Sequence, residues 1–229
     1  MKIKDIILTF INSFKILLKE FLDLIYKRKC INCGCSKTDE ILCKNCLKTV
    51  QKLPFFAQDI INGYKVYSCF YYEGIIKKLI LELKFKHNKP CSKIAAKLLY
   101  EYILNSDIKT DNLVIIPVLT HKKNYLKRGY DNVLEIAKEL SLLLKAELNY
   151  NSLLKIKYTK PQYKMNYKQR QNNIKGSFIL DENFNTDKNI ILIDDILTTG
   201  ATLDFITSLF KERGIKNLVC LTLSKTKKF

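Results

Sequence analysis

Two adjacent carboxylates close an apolar run and lead into a turn rich in threonine: Ile190-Ile191-Leu192-Ile193-Asp194-Asp195-Ile196-Leu197-Thr198-Thr199-Gly200-Ala201-Thr202. This is the stretch of the sequence with the most chemistry in it. The apolar residues predict a buried strand, and the residues after the turn predict a helix. Gly200 lets the backbone approach a ligand closely, and the free N–H groups at a helix start attract an anion. Thr198, Thr199 and Thr202 add hydroxyl donors. Asp194 and Asp195 suit a ribose diol and can help to position a divalent cation. The combination points to a sugar phosphate held at the carboxyl end of a strand, where open α/β sheets bind their ligands.

The elements that must position this site can be read on either side of it. Residues 113–118 (LVIIPV) form a short apolar run typical of a buried parallel strand. A basic loop is predicted at 121–130, then a helix to about residue 145. Residues 189–195 form a second buried strand, a helix follows to about Arg213, Gly214 ends it, and NLVCLTL is a third strand. Strand, helix, strand, helix, strand is the order of an α/β parallel sheet. Upstream, residues 64–73 alternate as a strand, and 75–83 and 92–104 have helical spacing.

Cysteines mark a second kind of chemistry. Cys30-x2-Cys33 and Cys43-x2-Cys46 are two CxxC turns separated by nine residues. Each presents two thiolates, and four thiolates satisfy a structural zinc ion. Cys35 is a spare that could replace one of the four. Cys69, Cys91 and Cys220 are isolated and read as buried thiols. Before the cysteines, Ile3, Ile7, Phe10, Phe14, Leu17, Phe21 and Leu24 recur every three or four residues. Residues 1–28 therefore read as an amphipathic helix, either docked on the core or lying on a membrane surface as a peripheral contact. Asp5, Lys15, Lys19, Glu20 and Asp23 interrupt it, so no run nears the roughly 20 apolar residues of a membrane span. No export signal is legible, and eight free cysteines fit a reducing cytoplasm. The expected organisation is a helix at 1–28, a metal knuckle at 29–50 and an α/β domain at 51–229.

Composition bounds the rest. A chain of 229 residues with 47% hydrophobic and 27% charged residues is an ordinary globular protein, neither disordered nor collagenous. Forty Lys and Arg against 22 Asp and Glu give a net charge of +18, which favours polyanionic partners. Only four cations are arginine, a bias that an AT-rich genome also produces, so placement matters more than the total. Residues 151–178 carry seven cations and no acid. That stretch reads as a lid closing over an anionic ligand, as a nucleic-acid surface, or as a plain solvated loop. On a nucleic-acid surface Lys155, Lys157, Lys160, Lys164, Lys168 and Arg170 would meet phosphates, and Tyr158, Tyr163 and Tyr167 would stack on bases.

The segment 190–202 resembles the 5-phosphoribosyl-1-pyrophosphate (PRPP) motif of type I phosphoribosyltransferases, with Ile190 where valine is usual. The resemblance implies ribose-hydroxyl binding by Asp194 and Asp195, and phosphate binding by the loop Thr198, Thr199, Gly200, Ala201 and Thr202. The paired cysteines, LKFKHNKP, IIPV followed by KRGYDN, and YTKPQYKMNYKQRQNNIKGSF are together similar to the ComF family of competence proteins. That likeness spans nearly the whole chain. It implies a type I phosphoribosyltransferase core with an N-terminal helix and a zinc-ribbon-like knuckle. It further implies a pyrophosphate-facing loop with Lys122, Lys123, Lys127 and Arg128, and a closing loop with Thr159, Gln162 and Arg170. The implied ligands are Mg²⁺-PRPP and single-stranded DNA. The implied partners are a DNA-uptake translocase and recombination proteins. Active transfer from PRPP in nucleotide metabolism and PRPP sensing without turnover are the alternative outcomes. Two departures stand out: His87 replaces a glycine, and the family's Arg-Gly-Phe-Asn-Gln reads Arg128-Gly129-Tyr130-Asp131-Asn132.

Overall fold

The computed structural model describes residues 29–36, 40–53, 56–86, 88–158, 173–184 and 186–227. The expected helix at 1–28 lies outside them. The chain divides into two compact units, Met1–Val50 and Gln51–Phe229.

In the first unit, Gly34 turns the chain back with a left-handed backbone (φ 74°) and its N–H donates to the Cys30 carbonyl at 2.9 Å. Helix α1 (Lys44–Gln51) begins directly after Cys43, which places Cys46 in its first turn. Ile31 N–H donates to the Ile41 carbonyl at 3.0 Å and holds the two CxxC segments side by side.

The second unit is built on a six-stranded sheet. Its elements are β1 (Phe56–Ile61), β2 (Tyr64–Tyr71), α2 (Gly74–Phe85), α3 (Cys91–Leu104), β3 (Leu113–Pro117), α4 (Lys122–Arg128), α5 (Asn132–Leu144) and β4 (Glu147–Leu148). There follow β5 (Leu153–Lys155), β6 (Phe178–Leu180), β7 (Asn189–Leu197), α6 (Ala201–Glu212) and β8 (Leu218–Lys225). The strand order is β1-β2-β8-β7-β3-β4, parallel throughout except for the edge hairpin β1–β2. Strands β5 and β6 form a separate antiparallel pair.

Alternation along the strands fills both faces. Ile116, Leu192 and Cys220 lie in one row by register, and their neighbours Val114 and Ile190 continue the same face. That face packs on Leu203, Ile206 and Phe210 of α6 and on Leu153, Phe178 and Leu180 of β5 and β6. Ile115, Ile191, Ile193 and Leu221 point the other way and are equally buried. There α3 packs on α5, with α3 against β2 and β8, and α5 against β3 and β7. A sheet covered on both faces needs apolar side chains at successive positions, which explains the unbroken run Ile190–Ile193.

Three parts of the sequence reading need correction. Residues 122–128 are helix α4 rather than loop: His121 caps it by accepting from the Lys123 N–H at 3.1 Å, and Gly129 (φ 73°) ends it. The polar stretch after 151 contains β5 and β6. Strand β1 escaped the sequence reading, although Asn62 and Gly63 (φ 54° and 90°) make the paired positive-φ turn favoured by two-residue hairpins.

Connectivity fixes the place of the site. From β3 the chain crosses outward to edge strand β4, whereas from β7 it crosses in the opposite direction to β8. The strand order reverses between β3 and β7, and the crevice beyond their carboxyl ends is the ligand position of such sheets.

Candidate functional site

The two carboxylates at the end of β7 are held very differently. Asp195 is buried, with 6% of its surface exposed. Lys84 Nζ of α2 donates to its Oδ1 at 2.8 Å, and Asn132 Nδ2 of α5 donates to its Oδ2. Arg128 Nη1 donates in turn to Asn132 Oδ1 at 3.3 Å. Asp195 is thus committed to its neighbours through both oxygens. Asp194 accepts the Asp195 N–H at 2.8 Å. Burial first, and then the charge of Asp195, push the Asp194 carboxyl up to about 7, against the pull of Lys84 and Lys155. Burial likewise pulls the Lys155 ammonium below the usual lysine range, while the charges of Asp194 and Asp131 oppose that shift. Both shifts favour the uncharged forms, so Asp194 and Lys155 are groups whose charge is held at a cost by burial, a pattern that functional clefts and structural ion pairs share.

The loop after β7 leads into an uncapped helix start. Gly200 (φ 81°) sits at the start of α6, and no side chain caps that helix start. Its first N–H groups have no intrahelical partner and face an incoming anion with the positive end of the helix dipole. Thr199 Oγ1 is buried and has no hydrogen-bond partner among the described residues; Thr120 Oγ1, just past β3, is in the same state. Ser177 Oγ is the third buried hydroxyl without a partner among the described residues; Thr199 and Thr120 are the two that stand at strand ends, where each has donor and acceptor capacity unused. The β1–β2 hairpin steadies α6 from behind: Asn62 Nδ2 donates to the Asp204 carbonyl at 2.7 Å and to Thr207 Oγ1 at 3.0 Å. A Cβ at Gly200 would meet Ile61 Cδ1 at 3.3 Å, so a side chain there would press on the hairpin as well as strain the backbone at φ 81°.

In the N-terminal unit, the Sγ atoms of Cys30, Cys33, Cys43 and Cys46 all lie within 4.8 Å of one another. The Cys33–Cys43 separation is 3.7 Å, and a tetrahedral zinc with Zn–S bonds of ~2.3 Å requires about 3.8 Å. Four thiols at this spacing fit a structural zinc ion. Cys35 is not among the four mutually close sulfurs, although its thiol reaches Cys43; its carbonyl accepts the Cys30 N–H at 2.9 Å. Burial works against ionisation of Cys30, but the N–H groups of Cys33, Cys43 and Asn32 outweigh it and hold the thiol below its ordinary range.

Residues 83–228 match the phosphoribosyl transferase domain family. The chain belongs to that family. Within it the protein is ComF-like. It is 28% identical over 182 residues to competence protein F of Haemophilus influenzae, covering 77% of this chain and 75% of that one. It is 26% identical over 215 residues to competence protein ComFC of Streptococcus pneumoniae, covering 89% and 92%. It is 23% identical over 206 residues to the DNA utilization protein YhgH of Escherichia coli K12, covering 87% and 85%.

In this phosphoribosyl transferase domain, Asp194, Asp195, Thr198, Thr199, Gly200, Ala201 and Thr202 are contiguous around the end of β7. Lys122, Lys123, Lys127 and Arg128 fall in α4, beyond the end of the neighbouring strand β3. Thr159, Lys160, Gln162, Tyr163, Lys164, Tyr167, Lys168 and Arg170 lie outside the described residues. Asp131 serves the fold rather than a ligand. Its Oδ1 caps α5 by accepting from Val133 and Leu134, and its Oδ2 accepts the Thr120 N–H at 2.6 Å. Lys84 and Asn132 are residues beside the acid pair that sequence reasoning did not single out, and Lys155, read from the sequence as a cation for nucleic acid, lies within electrostatic reach of Asp194.

Two consequences follow for stability. Lys84→Met leaves half of a mostly buried ion pair, at a cost of ~2 kcal/mol, and lowers the melting temperature by about 4–8 °C. An unchanged transition would show that Lys84 does not hold Asp195. Asp194 binds its proton more tightly folded than unfolded, so its contribution is present below about pH 4 and is lost as pH rises towards 7. Asp194→Asn therefore gains on the wild type over that interval, by ~2 kcal/mol after allowance for solvent screening. Parallel stability–pH curves for the two proteins would remove the strain argument.

Proposed function

We propose that this ComF-like protein supports DNA uptake in natural transformation, binding single-stranded DNA and holding a phosphoribosyl ligand in the crevice between β3 and β7. The observation that carries the ligand half is the orphaned Thr199 hydroxyl at an uncapped helix start, beside an acid pair of which only one member is fully committed. A 5-phosphate would take the N–H groups and hydroxyls of the loop 198–202. The ribose diol would take Asp194 and, through lone pairs that the Lys84 and Asn132 bonds leave unused, Asp195. Mg²⁺ bound with PRPP would supply neutralisation of the pyrophosphate charge; Asp194 is the carboxylate best placed to assist, and Lys122, Lys123 and Arg128 are the nearby cations. The DNA half is supported by likeness to proteins named for competence and DNA utilization and by the acid-free stretch 151–178. In this reading residues 29–50 are a zinc knuckle and 51–229 the ligand-binding domain. The protein works in the cytoplasm with a translocase and recombination proteins.

Active transfer is the second reading, favoured by the same intact acid pair. Pyrophosphate would leave C1 of the ribose through an oxocarbenium-like transition state, with positioning and charge neutralisation supplying most of the catalysis. Mg²⁺-dependent PRPP binding by calorimetry tests the ligand half; absence of binding by the folded protein removes both readings of the pocket. Single-strand binding over a salt series tests the DNA half. Neutralising Lys164, Lys168 and Arg170 together is expected to reduce the salt slope by about 2. An unchanged slope and affinity would remove those three residues from the interface.

A further inference from the structure

Helix α4 is a short cationic element set between two exposed aromatic rings. At its start, His121 meets Tyr158 edge-on with ring centroids 5.5 Å apart, and Lys123 Nζ lies 5.4 Å from the centre of the Tyr158 ring. At its end, the Arg128 guanidinium lies 5.5 Å from the centre of the Phe85 ring. Phe85 is 62% exposed and Tyr158 43% exposed, although neighbouring aromatic residues such as Tyr130 are buried. Seven helical residues span about 10 Å, the reach of a step or two of a single strand. Residues 121–130 contain four cations and no acid, and the next acid, Asp131, is turned to backbone N–H groups. The helix follows the carboxyl end of β3, next to the phosphoribosyl crevice.

Rings held in place by cations and left in water have a specific physical use. Each offers a stacking surface for a planar base, and the cations beside it meet the phosphates between bases. Stacking of this kind tolerates any sequence, because every base has a π-face. An apolar protein partner would meet four cations with no acid among them, whereas a polyanion with planar groups uses both features.

We infer that the ring–cation–ring surface formed by Phe85, α4 and Tyr158 is a base-stacking platform for single-stranded DNA. The inference rests on the DNA-binding reading above and goes beyond it by naming the surface, which is distinct from residues 160–170. A strand lying there passes directly beside the acid pair, which makes DNA and the phosphoribosyl ligand neighbours.

The test is fluorescence anisotropy of a labelled oligothymidylate with the full-length protein over a salt series. Phe85→Ala and Tyr158→Ala are each expected to lose about tenfold in affinity with the salt slope unchanged, because a stacking contact displaces no counterions. Tyr158→Phe keeps the ring and is expected to bind like the wild type. Lys123→Gln is expected to lower the slope by ~0.7. Phe85→Leu with Tyr158→Leu retains apolar bulk without the rings; if it binds as tightly as the wild type, the platform is wrong and DNA binding stands. If the wild-type protein fails to bind the oligonucleotide even at low salt, the DNA-binding reading falls and takes the platform with it. A membrane or phosphopeptide surface would give that second result.

Discussion

Replacing both Asp194 and Asp195 with alanine is expected to weaken Mg²⁺-dependent PRPP binding at least 100-fold. Each carboxylate that accepts a hydrogen bond from a ligand hydroxyl contributes about 1.5–3 kcal/mol, and two together account for two decades or more. The structure makes the single substitutions informative as well. Asp194→Asn keeps shape but loses charge at the position where the carboxyl is pushed up to about 7, so its binding defect should be largest above that pH. Asp195→Asn disturbs Lys84 and Asn132 as well, so its defect should come with a lower melting temperature. Calorimetry with melting curves on the same samples separates lost contacts from lost structure. Wild-type affinity in the folded double variant would mean that the ligand sits elsewhere.

Metal removal should have the second large effect. Zinc sites of this class carry apparent binding free energies of about 10–16 kcal/mol, far more than a segment of this length can gain from its own apolar packing. Purified protein is expected to hold a single zinc, and Cys33→Ser to lose it. Cys35→Ser should keep it, because Cys35 is outside the four-sulfur cluster. After chelation, hydrogen exchange should rise sharply at the Ile31 and Cys43 amides, which donate to the Ile41 carbonyl and to Cys30 Sγ in the folded knuckle. A substoichiometric zinc content that refolding with zinc does not restore would rule the knuckle out as a metal site.

The contrast between what was legible in the sequence and what was not has a simple physical basis. The acid pair, the threonine loop and the helix behind them are contiguous, so one short window displays strand, turn and helix start together. The partners of Asp195 are not: Lys84 is 111 positions away and Asn132 is 63. Only the sheet topology joins them. Helix α4 escaped because its seven residues are mostly cationic and give no apolar period. Strands β5 and β6, at three residues each, are too short for alternation to register. The Asn62-Gly63 turn did carry a recognisable hairpin signal, and reading it would have found β1. No spacing rule separates Cys35 from its four neighbours; the backbone path around Gly34 does.

The strand order also sets a timetable for synthesis. Hairpin β1–β2 is made early, yet β2 joins the sheet only through β8, the pairing of Val66 with Cys220 being typical. At about 5–20 residues per second, the ribosome takes roughly 10–30 s to travel from one to the other. Through that interval the free side of β2, joined near its end by that of the newly made β7, offers unpaired backbone to any passing strand. A nascent chain of this protein should therefore be a strong client for chaperones until its last strand emerges, and fragments ending before β8 should aggregate rather than fold.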